Sequence, residues 1–140
     1  MTEITRSIEI SAPTEKVWSC IDPTNWSKIF SSVKEVDGVD NKEVGVGSQF
    51  KVVAGIDELI TIKYNIEITE YLKNNKIVYR RFGGPLTGRG VIKLKSLQHG
   101  TMLVRTSRFD DDLSEETMDA LSEGMEKDNK KIRELIKEMK

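Results

Sequence analysis

The chain predicts an α+β architecture in which a curved antiparallel sheet is closed by one long C-terminal helix. Three observations carry that expectation. The middle of the sequence alternates with period two, most cleanly where Ile60, Ile62, Tyr64, Ile66 and Ile68 interleave with Thr61, Lys63, Asn65, Glu67 and Thr69. The segment Ser11-Ala12-Pro13-Thr14-Glu15-Lys16-Val17-Trp18 turns a first strand abruptly into a short helix. The C-terminal segment carries Met118, Leu121, Met125, Ile132, Leu135, Ile136 and Met139 at helical spacing.

The first strand is expected over Thr2–Ser11, with Ile4, Ile8 and Ile10 on one face. Proline is tolerated in a first helical turn, where its missing N–H has no intrahelical partner, so a helix from Pro13 to Cys20 follows. Val17, Trp18 and Ile21 give it an apolar side. Asp22-Pro23-Thr24-Asn25 ends it, and Trp26 to Phe30 reads as a second short helix. A second strand is expected over Val33–Val39, then a turn at Asp40-Asn41-Lys42. Gly45 and Gly47 precede a third strand, Gln49–Ala54, and the alternating run from Ile60 is the fourth. Asn74-Asn75 suits a two-residue hairpin because Asn tolerates positive φ, and a fifth strand follows over Lys76–Phe82. Gly83-Gly84-Pro85 bends the chain into a sixth strand, Leu86–Leu97. His99-Gly100 then makes a second tight turn before the seventh strand, Thr101–Phe109. The last helix starts near Ser114. Asp110, Asp111, Asp112, Glu115 and Glu116 crowd its beginning, and Lys130, Lys131, Arg133, Lys137 and Lys140 its end, which complements the helix macrodipole.

At 140 residues, one domain spanning 1–140 is expected, with no repeat, linker or low-complexity segment. A net charge of −1 argues against nucleic acid as a partner, since such proteins carry a basic excess. Cys20 is the single cysteine and His99 the single histidine, so neither a disulfide, a Cys-based metal site nor a His-based metal triad can be assembled. No metal and no cofactor is expected. Without a basic, apolar start or a bilayer-length apolar run, a cytoplasmic location without stable membrane insertion is the expectation.

The wording of three segments carries a resemblance: Ile8-Glu9-Ile10-Ser11-Ala12-Pro13 with Val17-Trp18, the Gly45-Val46-Gly47-Ser48 approach, and Ile66-Glu67-Ile68-Thr69-Glu70-Tyr71. Together with the order strand, two short helices, six strands, long helix, the chain resembles the START-like (SRPBCC) superfamily. That group holds the polyketide cyclase/dehydrase and lipid-transport proteins and the birch-pollen-allergen-like proteins. The resemblance implies a helix-grip fold, with a curved antiparallel sheet of about seven strands. It also implies a cavity between sheet and C-terminal helix for a small hydrophobic or amphipathic molecule. Its members include carriers, sensors, cyclases and hydroxylase domains, among which a fold does not choose.

Strand parity nominates the residues that line the interior. A two-residue turn at Asn74-Asn75 sets Glu70 opposite Tyr79 and Ile68 opposite Arg81, so Tyr79 and Arg81 face in with the isoleucines. The turn at His99-Gly100 sets Leu103 opposite Ser96 and Arg105 opposite Leu94, so Ile92, Leu94, Leu103, Arg105 and Ser107 face in. Arg6 shares the face of Ile4 and Ile8. On the long helix, Asp128 and Asn129 interrupt the apolar stripe, and Gly124 lies on it, where it would admit a close approach. The inward arginines have two uses: to hold a carboxylate or phosphate head group with help from Asn129, or to pair with Asp128. The candidate ligand-binding residues are Trp26, Phe30, Tyr64, Ile66, Tyr79, Arg81, Leu94, Leu103, Arg105, Met118, Leu121, Met125 and Asn129, with Ile60 and Ile62 beside them on the same wall. Methionines suit an adaptable pocket.

Other motifs fail on mechanism. The glycine run Gly83 to Gly90 has no following Lys-Ser or Lys-Thr pair and leads into a strand, so it is no phosphate loop. Asp110-Asp111-Asp112 lacks the alternating ligand spacing of a calcium loop. No catalytic residue is assigned. The expected function is binding or carrying a small hydrophobic or amphipathic ligand, with an anionic head group as one option. The alternatives are a polyketide cyclase/dehydratase-like enzyme using Tyr64, Tyr79 or Arg105 to polarise a carbonyl, and a module that docks a protein partner.

Overall fold

Seven strands form one antiparallel sheet: β1 (Thr2–Ile10), β2 (Val33–Gly38), β3 (Gln49–Gly55), β4 (Thr61–Leu72), β5 (Lys76–Phe82), β6 (Gly88–Leu97) and β7 (Gly100–Phe109). Their spatial order is β1-β7-β6-β5-β4-β3-β2, a meander from β2 to β7 with β1 added beside β7. Helices α1 (Thr14–Cys20) and α2 (Trp26–Ile29) link β1 to β2, and α3 (Glu115–Glu138) ends the fold. The computed structural model describes residues 2–30, 33–38, 43–55 and 61–138. The expected turn at Asp40-Asn41-Lys42, and Ile60, Met139 and Lys140, lie outside the described residues.

Local chemistry explains the short helices. Pro13 stands one residue ahead of α1 as its extended cap, and its carbonyl accepts from Lys16 N and Val17 N. The carboxylate of Asp22 accepts from Thr24 N at 3.0 Å and Thr24 Oγ1 at 2.6 Å, which fixes the 3-10 turn Pro23–Asn25. Trp18 meets Tyr71 of β4 edge-on at 5.3 Å and so staples α1 to the sheet. Trp26 is buried and donates its indole N–H to Ile21 O at 3.0 Å.

Both expected hairpin turns move. The β4–β5 loop holds three residues, Lys73 to Asn75, because Leu72 pairs with Lys76; Asn74 alone takes positive φ, at 65°. A bulge between Ile68 and Glu70 then restores the alternation, so Tyr79 lies opposite Ile68 and Arg81 opposite Ile66. The β6–β7 turn is Gln98-His99, since Leu97 pairs with Gly100. Leu103 therefore faces Leu94, and Arg105 faces Ile92. Tyr79, Arg81, Leu103 and Arg105 each meet a partner two positions from the expected one, and side chains alternate with period two, so the inward placement of these four is preserved. The sixth strand starts at Gly88; Leu86 belongs to the loop before it.

Helix α3 opens on Ser114, whose Oγ accepts from Thr117 N at 3.2 Å. Its buried residues are Met125, Asp128, Asn129, Ile132 and Ile136. A Cβ built at Gly124 meets nothing within 4 Å, so no strand presses on the helix there.

The interior separates into two apolar bodies. The larger joins α1, α2 and the C-terminal half of α3 to the sheet through residues such as Val17, Trp26, Phe30, Ile66, Ile68, Leu94, Leu103, Ile132 and Ile136. The smaller, at the other end of α3, is Ile4, Phe109 and Met125, with Leu86, Leu113 and Leu121 packed against it. Polar side chains stand on the inner face beside both.

Candidate functional site

The polar side chains come from β4, β5, β7 and α3. Tyr79, Gly90, Ser107 and Ile4 are paired in turn across β5, β6, β7 and β1, and therefore share the inner face. Arg105 of β7 is two positions from Ser107 on the same face, roughly 7 Å along the strand. A Cβ on Gly90 would lie 2.1 Å from Tyr79 Cζ, so the absence of a side chain there is what lets the tyrosine ring lie across β6.

Arg105 is held from α3 through its Nη1. It donates to Asn129 Oδ1 at 3.1 Å and to Met125 O at 3.4 Å, and its guanidinium stands 4.2 Å from the centre of the Phe30 ring. Removal from water lowers its pKa, while Tyr79 and the carboxylate of Asp128 act in the opposite direction. Asp128 is only 4% exposed. The bond from Arg105 also fixes the amide of Asn129: the oxygen must face the guanidinium, which leaves Nδ2 on the other side. That nitrogen is buried and has no hydrogen-bond partner.

Arg81 is 7% exposed. Its Nη1 donates to Ser107 Oγ at 3.1 Å, and its Nη2 to the carbonyls of Arg108 at 2.6 Å and Arg89 at 3.3 Å. The guanidinium lies 4.5 Å from the centre of the Phe109 ring. Every one of these partners is neutral, and Nε has none. Nearby, burial pushes the Tyr64 hydroxyl well above the ordinary phenol range; Tyr79 adds to the shift and Arg81 opposes it. Tyr64 is therefore held as a neutral phenol.

Most of the nominated residues converge. Trp26, Phe30, Ile66, Leu94 and Leu103 belong to the larger apolar body, with Tyr64 and Tyr79 packed against it. Trp26 also touches Tyr79 and Phe30, with ring centres 4.9 Å and 5.5 Å apart. Met125 and Leu121 belong to the smaller body, whereas Met118 packs against neither. Arg6 lies opposite Arg105 at the sheet edge and is half-exposed, paired with Glu126 at 3.1 Å. Phe109 and Gly90 are missing from the residues nominated by sequence, and Ser107 is placed facing in without being nominated as a ligand contact. Phe109 shares the strand parity of Arg105, and Gly90 is reached only through its pairing with Ser107.

These side chains stand on the walls between the sheet and α3. Two hollows open elsewhere. One, about 420 Å³, is lined chiefly by outward residues of β2, β3 and β4 such as Glu35, Lys51 and Lys63; the other, about 220 Å³, flanks the β6–β7 turn. Among the described residues, no group of three or more His, Cys, Asp or Glu is placed to hold a metal ion, and no helix is long and apolar enough to cross a membrane.

Residues 1–138 match, from one end to the other, the family described as polyketide cyclase/dehydrase and lipid transport. The chain belongs to that family. Solved structures repeat the fold. A START superfamily protein from Mycobacterium smegmatis superimposes with a TM-score of 0.82 at 14% identity, covering 99% of each chain. Ara h 8.0201 matches with a TM-score of 0.75 at 16% identity, over 96% of this chain and 97% of its own. The ZhuI aromatase/cyclase from Streptomyces sp. R1128 matches with a TM-score of 0.71 at 17% identity, over 97% of this chain and 94% of its own. No curated protein matches the chain. At such identities the likeness is one of fold, a curved sheet gripping a long helix.

Proposed function

We propose that this protein binds a small amphipathic molecule between the sheet and α3, its apolar part against Phe30, Leu103, Met125 and Leu121. Its polar end is anionic or otherwise rich in hydrogen-bond acceptors. One observation carries the reading: the inner face holds two buried donors without acceptors, Arg81 Nε and Asn129 Nδ2. Buried polar groups are almost always paired, and each such orphan costs about 1–3 kcal/mol. Donors left open on the inner face are satisfied by an incoming acceptor. Family membership supports the same class of function. The smaller apolar body borders this space, and Met125 with Leu121 and Leu86 supplies adaptable walls.

The hollow on the outer face of β2, β3 and β4 supports a second reading, a module whose outer surface docks another protein. Native mass spectrometry separates the two. The purified protein, challenged with fatty acids, sterols, quinones and aromatic polyketides, is expected to retain one molecule that is lost on denaturation. A protein that stays empty with every member of that panel, yet pulls down a defined partner, supports the docking module instead.

A further inference from the structure

We propose that the polar end of the ligand is a single carboxylate and that Arg81, not Arg105, holds it. This rests on the ligand-binding reading above and adds the chemical class of the ligand and the residue that selects it.

The charge count of the inner face leads to a monoanion. Apart from the half-exposed Arg6–Glu126 pair at its edge, which is neutral as a pair, it holds among the described residues two cations, Arg81 and Arg105, and one buried anion, Asp128. Arg105 lies in the field of Asp128 and bonds to the oxygen of Asn129. Arg81 has no such provision. No carboxylate of the described residues pairs with it, and its partners are a hydroxyl, two backbone carbonyls and an aromatic ring. A buried cation without a counter-ion is among the most expensive arrangements a fold can hold. One negative charge restores neutrality, and a dianion such as a phosphate monoester overshoots it. The open position on Arg81 is Nε–H, a donor well matched to a carboxylate oxygen.

The setting describes the rest of the ligand. Phe109, against which Arg81 lies, belongs to the smaller apolar body with Ile4 and Met125. The chain or ring attached to the carboxylate is accordingly apolar where it replaces that contact. Asn129 Nδ2, on the neighbouring rung, is available to an oxygen further along the same molecule.

The test pairs acids with their neutral and dianionic counterparts: decanoate, decanol and decyl phosphate, and in parallel naphthoate with naphthalenemethanol. Isothermal titration calorimetry at neutral pH compares the wild type with Arg81→Met, Arg81→Gln and Arg105→Met. The wild type is expected to bind each acid at least about tenfold more tightly than its alcohol, the fold-change of a charge-assisted hydrogen bond, and to disfavour the phosphate. Both Arg81 variants should bind acid and alcohol equally, whereas Arg105→Met should keep the preference for the acid. Arg81→Gln retains amide donors without the charge, so a loss of preference there reports the charge and not the fold. Should the Arg81 variants fail to fold, the wild-type ranking of acid, alcohol and phosphate still decides. Equal binding of acid and alcohol by the wild type, or a preference that survives in the Arg81 variants, overturns the assignment and leaves the ligand-binding reading standing. Absence of binding by every probe, together with an empty protein in the mass-spectrometric panel, removes the ligand-binding reading itself.

Discussion

Tyr64 illustrates how a single side chain on the inner face is conditioned by its neighbours. Burial and Tyr79 oppose its ionisation, and Arg81 favours it; burial is the larger effect. A phenol whose pKa is raised in the folded state binds its proton more tightly there than in the unfolded chain. Its contribution to stability is therefore complete below the ordinary phenol value of about 10 and is lost as the pH climbs beyond it. Replacing Tyr64 by Phe is expected to flatten the fall of the urea midpoint above pH 10, with little change at neutral pH beyond the loss of the hydroxyl. An unchanged alkaline slope would show that the hydroxyl reaches water. The arginines divide in the same way, by surroundings and not by residue type. Arg105 and Arg81 face the same interior, yet Arg105 lies in the field of the Asp128 carboxylate while the hydrogen-bond partners of Arg81 are all neutral.

At the scale of the elements, β6 and α3 carry the sharper consequences. Gly90 provides the space that Tyr79 occupies, and Gly90→Ala forces the ring away or the strands apart. A loss of about 1–3 kcal/mol is expected, the usual cost of overpacking, with a changed near-ultraviolet signal from the Trp26–Tyr79 contact. Gly124 behaves oppositely. A Cβ there meets nothing, so Gly124→Ala should stabilise α3 by about 0.5–1 kcal/mol, measured by chemical denaturation. The hairpins show how far a sequence can be read at this scale. The Asn pair at residues 74–75 and the glycine at residue 100 mark turns correctly but do not say which residue starts them. A bulge between Ile68 and Glu70, which no residue type announces, compensates for the odd loop length. Facing survived because the displacement was even; a displacement of one would have put both arginines in water.

The whole molecule is held by two unequal apolar bodies. The C-terminal half of α3 rests on the larger, through Ile132 and Ile136, while its N-terminal half rests on the smaller, through Met125 and Leu121. Over that half, the Arg6–Glu126 pair is half-exposed and contributes little, on the order of 0–1 kcal/mol. Amide hydrogen exchange should accordingly be faster around residues 118–126 than around 129–136. Ligand should slow exchange in the first segment more than in the second; equal protection of both halves would argue that α3 does not part from the sheet at that end.

The sequence by itself determined the α+β class, the order of the elements and the side of the sheet on which each residue lies. Those follow from period-two and helical patterning, which are local and survive small errors of register. It also offered both uses of the inward arginines without choosing between them. Only the tertiary structure decided that Asp128 and Asn129 attend Arg105, and that Arg81 lies against Phe109 among neutral partners. These depend on the register of four strands and the azimuth of one helix. Packing sets both through contacts between residues as far apart as Arg105 and Asn129, or Arg81 and Phe109, and no local pattern encodes them.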